Sequence, residues 1–341
     1  MYAASSSVGG QRIVRKLALL ALLFLSACAL AWGYLAGPDR ARNWPSRTIR
    51  IVVPFPPGGT TDEIARSVQP LLQKDLNVPV VIENRGGASG SIGTQAVVAS
   101  PPDGYTFLLV FDTHAVNPIL IPNIPFDTVK DLAPVMVIGK SPMVITAHYS
   151  APYKSFADIV SASKEKPESV SFGTIGNGSL AHLAMTQISN QLGVKMNHVP
   201  YKGGGPLTVD AIAGHIPVAI ASVALLYPHI KTGKLIPLAV TSPKRSAQLP
   251  DTPTVAALAV PGYDAEAWWG MLAPAHTPPD IIEHMRELMA KALNDASVKN
   301  ALEEQGLVYN LSGGEALGSL IESEIARWGK VVKNNQINAG R

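Results

Sequence analysis

From Ile49 onward, short and nearly unbroken apolar runs alternate with segments whose apolar residues recur every three or four positions. The first pattern belongs to strands covered on both faces, the second to helices with one buried stripe. Seven runs are expected as strands: Ile49 to Phe55, Val78 to Glu83, Tyr105 to Phe111, Val170 to Thr174, His198 to Tyr201, Pro217 to Ser222 and Leu235 to Thr241. Their alternation with helices predicts βα units and an α/β fold with mostly parallel sheets flanked by helices.

The helix signals lie between these runs. Thr60-x-x-Glu63 reads as a capping box before Ile64, Ala65, Val68, Leu71 and Leu72, with Pro70 expected to kink or divide the helix. Ser179 is expected to cap a helix whose apolar face is Leu180, Leu183, Ala184, Ile188 and Leu192. Pro278 to Lys333 reads as helical, broken near Gly306 and at Ser312-Gly313-Gly314, before a frayed end from Asn334 to Arg341. Two longer apolar stretches, Leu132 to His148 and Tyr263 to Pro274, do not fit βα units. They are expected as paired crossings between two lobes, leaving the first after Ile138 and returning near Trp269. The expected limits are thus 44–138, 139–268 and 269–341. No repeat of solenoid period is present.

The first residues change the picture of charge and compartment. Arg12, Arg15 and Lys16 precede the apolar run Leu17 to Ala27, the flanks and length of a secretory leader spanning residues 1–31. Counting on to Trp32 leaves an uncleaved anchor as the other reading. Leu25-Ser26-Ala27-Cys28 is a lipobox pattern that would place a lipid anchor on Cys28, whereas Ala29-Leu30-Ala31 is an ordinary cleavage site; the two stand equal. Either way the destination is the periplasm. The chain has 28 Lys and Arg against 25 Asp and Glu, and the leader holds three of the basic residues and no acid, so the remainder is neutral. The basic excess of the whole chain therefore says nothing of nucleic acid, whose binding needs a clustered basic face, and no nucleic-acid partner is expected. Cys28 is the only cysteine, so an exported chain of roughly 300 residues rests on its core rather than on disulfides.

Candidate chemistry concentrates where strands run into helices through glycine-rich turns: Pro54 to Asp62, Asn84 to Gly93 and Phe172 to Leu183. Such turns present backbone N–H groups at a helix start, a ready cradle for an anion. The first lacks the lysine of a nucleotide phosphate loop. The third fits G-x-G-x-x-A over Gly176 to Ala181, but no Asp or Glu occurs between Glu168 and Asp210, so the acid that a dinucleotide site needs for its ribose is missing. The same span carries Lys195, Lys202, His182, His198 and the Gly203-Gly204-Gly205 turn, and its field is expected to favour an anion. No serine-hydrolase elbow, zinc helix or histidine pair at ligand spacing is found, so no cofactor or metal is expected. Trp268 and Trp269 read as packing at the second crossing.

With these residues in view, the chain resembles the tripartite tricarboxylate transporter receptors, the Bug-type extracytoplasmic solute receptors. The resemblance rests on IVVPFPPGGTTDEIAR, ENRGGASGSIG with PPDGYTFLL, FGTIGNGSLAHL with HVPYKGGGP, and GKLIPLAVTSPKRSAQLPDTPT, and runs from Trp44 to Trp328. It implies a two-lobed periplasmic binding protein of the second type, without catalytic activity, that captures a small carboxylate between its lobes and passes it to membrane transporter subunits. It also implies the site: Phe55, Pro57, Gly58, Gly59 and Thr60 facing Ile175, Gly176, Asn177, Gly178 and Ser179, with Ala88, Ser89, Gly90 and the segment Asp112-Thr113-His114 lining the same opening. Family members hold carboxylates through backbone amides, hydroxyls and water rather than an arginine clamp. Many carry an aspartate near the end of the strand that here reads Val218 to Ser222. Ala221 and Ser222 replace it, so a plain carboxylate is expected over an amino acid. Two other functions stay open on the same fold: an adaptor that docks on a membrane sensor, and an enzyme, for which Asp112 and His114 are the nearest pair.

Overall fold

The computed structural model describes residues 44–334. The leader, with Cys28 and both cleavage readings, and residues 335–341 of the expected frayed end lie outside the described residues.

All seven predicted runs are strands. β1 (Ile49–Val53), β2 (Val80–Asn84) and β3 (Thr106–Phe111) pair in parallel, with β1 in the middle. Helices α1 (Thr60–Leu76) and α2 (Ser91–Val98) connect them, and α3 (Thr113–Leu120) follows β3. In the second half β5 (Ser171–Thr174) pairs in parallel with β6 (Asn197–Pro200) and β7 (Val218–Ser222), linked through α5 (Leu180–Leu192) and α6 (Gly204–Ala213); α4 (Phe156–Glu165) precedes them. Helix α7 (Val223–Lys231) leads from β7 into β8 (Leu235–Val240), and the short α8 (Val255–Leu258) follows. The C-terminal part holds α9 (Pro279–Leu293), α10 (Ala296–Gln305), the two-residue β10 (Val308–Tyr309) and α11 (Gly314–Asn334), broken at the expected glycines.

The two apolar crossings turn these parallel units into a mixed sheet. β4 (Leu132–His148) is one strand of 17 residues and β9 (Glu266–Pro274) runs antiparallel beside it. Up to Pro142, β4 pairs with β9; from Met143 it pairs with β7 and β8. The strand order is β2-β1-β3-β9-β4-β7-β5-β6. Two cores follow from this. Val52, Leu108, Val137, Leu272 and Leu317 meet in one, and Val144, Leu207, Ala219, Leu226 and Val240 in the other, so a single strand feeds both lobes. Thr241 ties the crossings together: its hydroxyl accepts from Met143 N (3.1 Å) and donates to Ala265 O (2.5 Å).

Two local expectations are corrected. Thr60 does not cap α1 but is its first residue; Gly59 is the cap, and its carbonyl accepts from Asp62 N and Glu63 N. Asp62 does the capping from inside the helix by accepting the Gly58 N–H (3.1 Å), a geometry set by the left-handed Gly58 (φ +84°). Pro70 does not divide the helix, which continues to Leu76.

Candidate functional site

The carboxyl ends of β1, β3 and β7 point at one cleft between the lobes, the place where open α/β sheets take ligands. Val53, Phe55, Phe111, Met143, Ile175, Ala221, Leu225 and Trp269 give it apolar walls, and Gly59, Thr60, Asp112, Gly204 and Ser222 supply polar atoms or bare backbone. Three helix starts open on it: α1 at Gly59 and Thr60, α6 at Gly204, and α7 at Ser222. The first N–H groups of a helix have no intrahelical acceptor, and each helix start carries roughly half a positive charge. No lysine or arginine lines this inner cleft among the described residues, so what positive field there is here comes from backbone.

Each turn is held by side chains behind it. In the first, Asp62 accepts from Gly58 N, Arg66 Nε (2.9 Å) and Asn84 Nδ2 (2.9 Å), while Asn84 also donates to Phe55 O (3.1 Å). Burial alone would raise the Asp62 carboxyl, but these hydrogen bonds outweigh it and keep it below the usual range. In the second turn, Ala88 and Ser89 sit in the left-handed region (φ 45° and 53°), a costly conformation for residues with a Cβ. Asn117 Nδ2 donates to Ser89 O (2.9 Å) and Ser91 Oγ to Ala88 O (2.8 Å), which fixes it. Ser89 Oγ then donates across the lobes to Asn177 O (2.9 Å). On the floor, Thr60 Oγ1 and Ser222 Oγ, one from each lobe, stand 3.5 Å apart.

The expected residues are therefore sorted by depth. Phe55, Gly59, Thr60, Ile175 and Ser222 line the inner cleft, while Pro57, Ala88, Ser89, Gly90, Gly176 and Asn177 line its mouth beside Tyr201 and the exposed Lys202. Gly58 faces a groove on the outer side. Thr113, Gly178 and Ser179 are not brought to the cleft. Thr113 Oγ1 donates to Asp112 Oδ1 (3.2 Å). Ser179 caps α5 as expected, accepting from His182 N (3.3 Å) and donating to Gly176 O (2.8 Å), so its hydroxyl is engaged within its own lobe. Sequence reasoning named the Gly203-Gly204-Gly205 turn without seeing that it meets the first turn directly, and it left Phe111, Met143 and Leu225 aside. A chain position at the end of a strand or on a crossing was the only signal for those three.

The histidines of the acid-free span do not add positive charge. His182 and His198 stack face to face at 4.0 Å, and Gly178 N donates to His182 Nδ1 (3.1 Å). Burial pushes His182 down to about 4; burial and the neighbouring His182 push His198 down to about 3. Both rings are neutral at ordinary pH, so Lys195 and Lys202 are left to carry that field. The unfolded chain takes up protons near pH 6.5 that the folded rings refuse. The stability they confer is whole above that pH and lost as pH falls toward about 4. Denaturant unfolding at pH 7 and 4.5 is expected to show a smaller loss for His182→Gln than for the wild-type chain; equal losses would contradict the assignment.

Residues 64–337 match the model of the tripartite tricarboxylate transporter family receptor. Protein BugT of Bordetella pertussis is 36% identical over 314 residues, covering 92% of this chain and 96% of that protein. Among solved structures, R. palustris Rpa4515 with adipate superposes with a TM-score of 0.83 at 34% identity, over 87% of this chain and 99% of that one. MatC from Rhodopseudomonas palustris with bound malate gives 0.80 at 28% identity, over 85% and 100%. The two lobes, the glycine turns and these likenesses agree, and the chain belongs to the tripartite tricarboxylate transporter receptor family.

Proposed function

We propose that this chain is a periplasmic receptor that closes on a small mono- or dicarboxylate and delivers it to the membrane subunits of a tripartite transporter, without catalysing a reaction. One observation carries this: three helix starts from two lobes converge on an apolar-walled inner cleft lined by hydroxyls, backbone and the carboxyls of Asp62 and Asp112, without a basic side chain. Such a site rewards a negative charge and has few groups with which to read more than charge and size. The relatives solved with adipate and with malate point the same way. Among the described residues no helix is long and apolar enough to cross a membrane, and the leader supports export, with a lipid on Cys28 as one of its two readings. The lobe limits we propose, residues 44–142 with 266–334 against 143–265, follow the exchange of strand partners on β4 and the start of β9 opposite Pro142.

Thermal unfolding with succinate, malate, adipate, NAD and ATP tests this reading. A bound carboxylate at about 100 times its dissociation constant is expected to add roughly 2.7 kcal/mol, and the nucleotides nothing. Stabilisation by a nucleotide alone would overturn it.

A further inference from the structure

We propose that Asp112 is the specificity-determining acid of the cleft: uncharged, it donates a hydrogen bond from its carboxyl to a carboxylate of the ligand, so the complex holds an ionised acid together with one proton. This rests on the reading of the chain as a carboxylate receptor.

Asp112 stands at the end of β3 and lines the cleft, yet it is only 1% exposed. One oxygen, Oδ1, accepts from the Thr113 hydroxyl. The other, Oδ2, is buried without a partner, and no other cleft-lining residue leaves a buried side-chain atom unpaired among the described residues. Neither lysine nor arginine lines the inner cleft, so an ionised carboxyl here would be a buried charge without a cationic partner, which a protein avoids by protonation. A protonated carboxyl has one donor to give. An incoming carboxylate, drawn to the three helix starts, supplies the acceptor.

The titratable surroundings act in the same direction. Glu324 of α11, which accepts from Trp328 Nε1 (2.7 Å) and lies beside Arg327, adds negative charge. His114 of α3 is held neutral by burial, and Asp62 of α1, which shares the cleft, is committed to Arg66. Against these, the Thr113 hydroxyl and the Leu180 N–H at the start of α5 favour the ionised form. Burial dominates and pushes Asp112 up to about 8. Above that pH the proton must come from solvent on binding.

Titration calorimetry with succinate, fully ionised throughout, at pH 7 and 9 in two buffers of different ionisation heat tests this. Wild-type affinity is expected to fall about tenfold or more between the two values, with a proton taken up at the higher one. Asp112→Asn, which keeps a donor but cannot titrate, binds more weakly at pH 7 and loses that slope; Asp112→Leu weakens binding at both. A pH-independent wild type, an unchanged slope in Asp112→Asn, or tighter binding of aspartate than of succinate that Asp112→Asn abolishes would each overturn the role of Asp112. Failure of succinate, malate and adipate to bind the wild type at either pH would instead remove the carboxylate reading and this inference with it.

Discussion

Gly205→Ala is expected to weaken binding of malate by about ten- to a hundredfold while leaving the ligand-free fold as stable as before. Gly205 lies in the first turn of α6 in the second lobe, and its φ is outside the left-handed region, so alanine suits its backbone and improves helix propensity by up to about 1 kcal/mol. The added Cβ would nevertheless sit 2.4 Å from Pro57 O in the other lobe. That neighbour is backbone and cannot swing away, so the lobes must part. Gly204 beside it is constrained less tightly: a Cβ there would sit 3.2 Å from Gly59 Cα and 2.9 Å from Leu225 Cδ2. Overpacking of this kind costs about 1–3 kcal/mol, charged here to closure alone, and each 1.4 kcal/mol is about tenfold in affinity. Calorimetry and small-angle scattering with saturating malate read both consequences, weaker binding and incomplete compaction. Gly329→Ala, with nothing within 4 Å, is the control. Unchanged affinity in Gly205→Ala would mean that the liganded receptor does not close to this contact.

Ser222→Asp is expected to cost succinate at least a hundredfold in affinity and aspartate much less. Ser222 caps α7 by accepting the Leu225 N–H (3.3 Å), and aspartate is as good a cap, so the local fold survives. Its carboxylate would face Thr60 across the floor of the cleft and compete for the same helix starts as the ligand. Two like charges about 4 Å apart repel by about 4 kcal/mol at an effective dielectric constant of about 20. An amino acid recovers part of this by setting its ammonium against the new charge. Ser222→Asn, with the same shape and no charge, is expected to bind succinate nearly as the wild type does. If Ser222→Asp leaves succinate binding intact, the ligand does not reach the floor of the cleft.

How much of this was legible in the chain depended on the range of the interactions involved. Strands such as β1, β3 and β7 were readable because sheets covered on both faces demand unbroken apolar runs, whereas the half-exposed edge strands β2 and β6 were marked mainly by their place between helices. The crossing from Leu132 to His148 was readable as extended, but not its change of partners at Pro142, which depends on β9 and β7 far along the chain. Thr60 deceived because Thr-x-x-Glu is a local pattern, whereas the helix start is set by the left-handed Gly58 and by Asp62 anchored through Asn84. The glycine turns announced backbone donors at helix starts. Which donors face the cleft was not legible: Ser179 looks as suitable as Ser222, yet one hydroxyl is engaged inside its lobe and the other stands opposite Thr60. Asp112 read only as one residue of a lining segment and, with His114, as the nearest pair for an enzyme, because its burial needs β9 and the closure of the lobes, neither of which a local window contains.

The position of β9 also sets an order of assembly. It is hydrogen-bonded between β3 and β4 at the centre of the first sheet, although it is synthesised long after both. The second lobe has no such wait, since the end of β4 and strands β5 to β8 follow one another within residues 143–240. A chain delivered N-terminus first can therefore complete its second lobe while the first remains split, with the facing edges of β3 and of the Leu132–Pro142 part of β4 open. Such edges invite pairing with other chains. They are the segments that a holding factor would have to shield until the last quarter of the polypeptide has emerged.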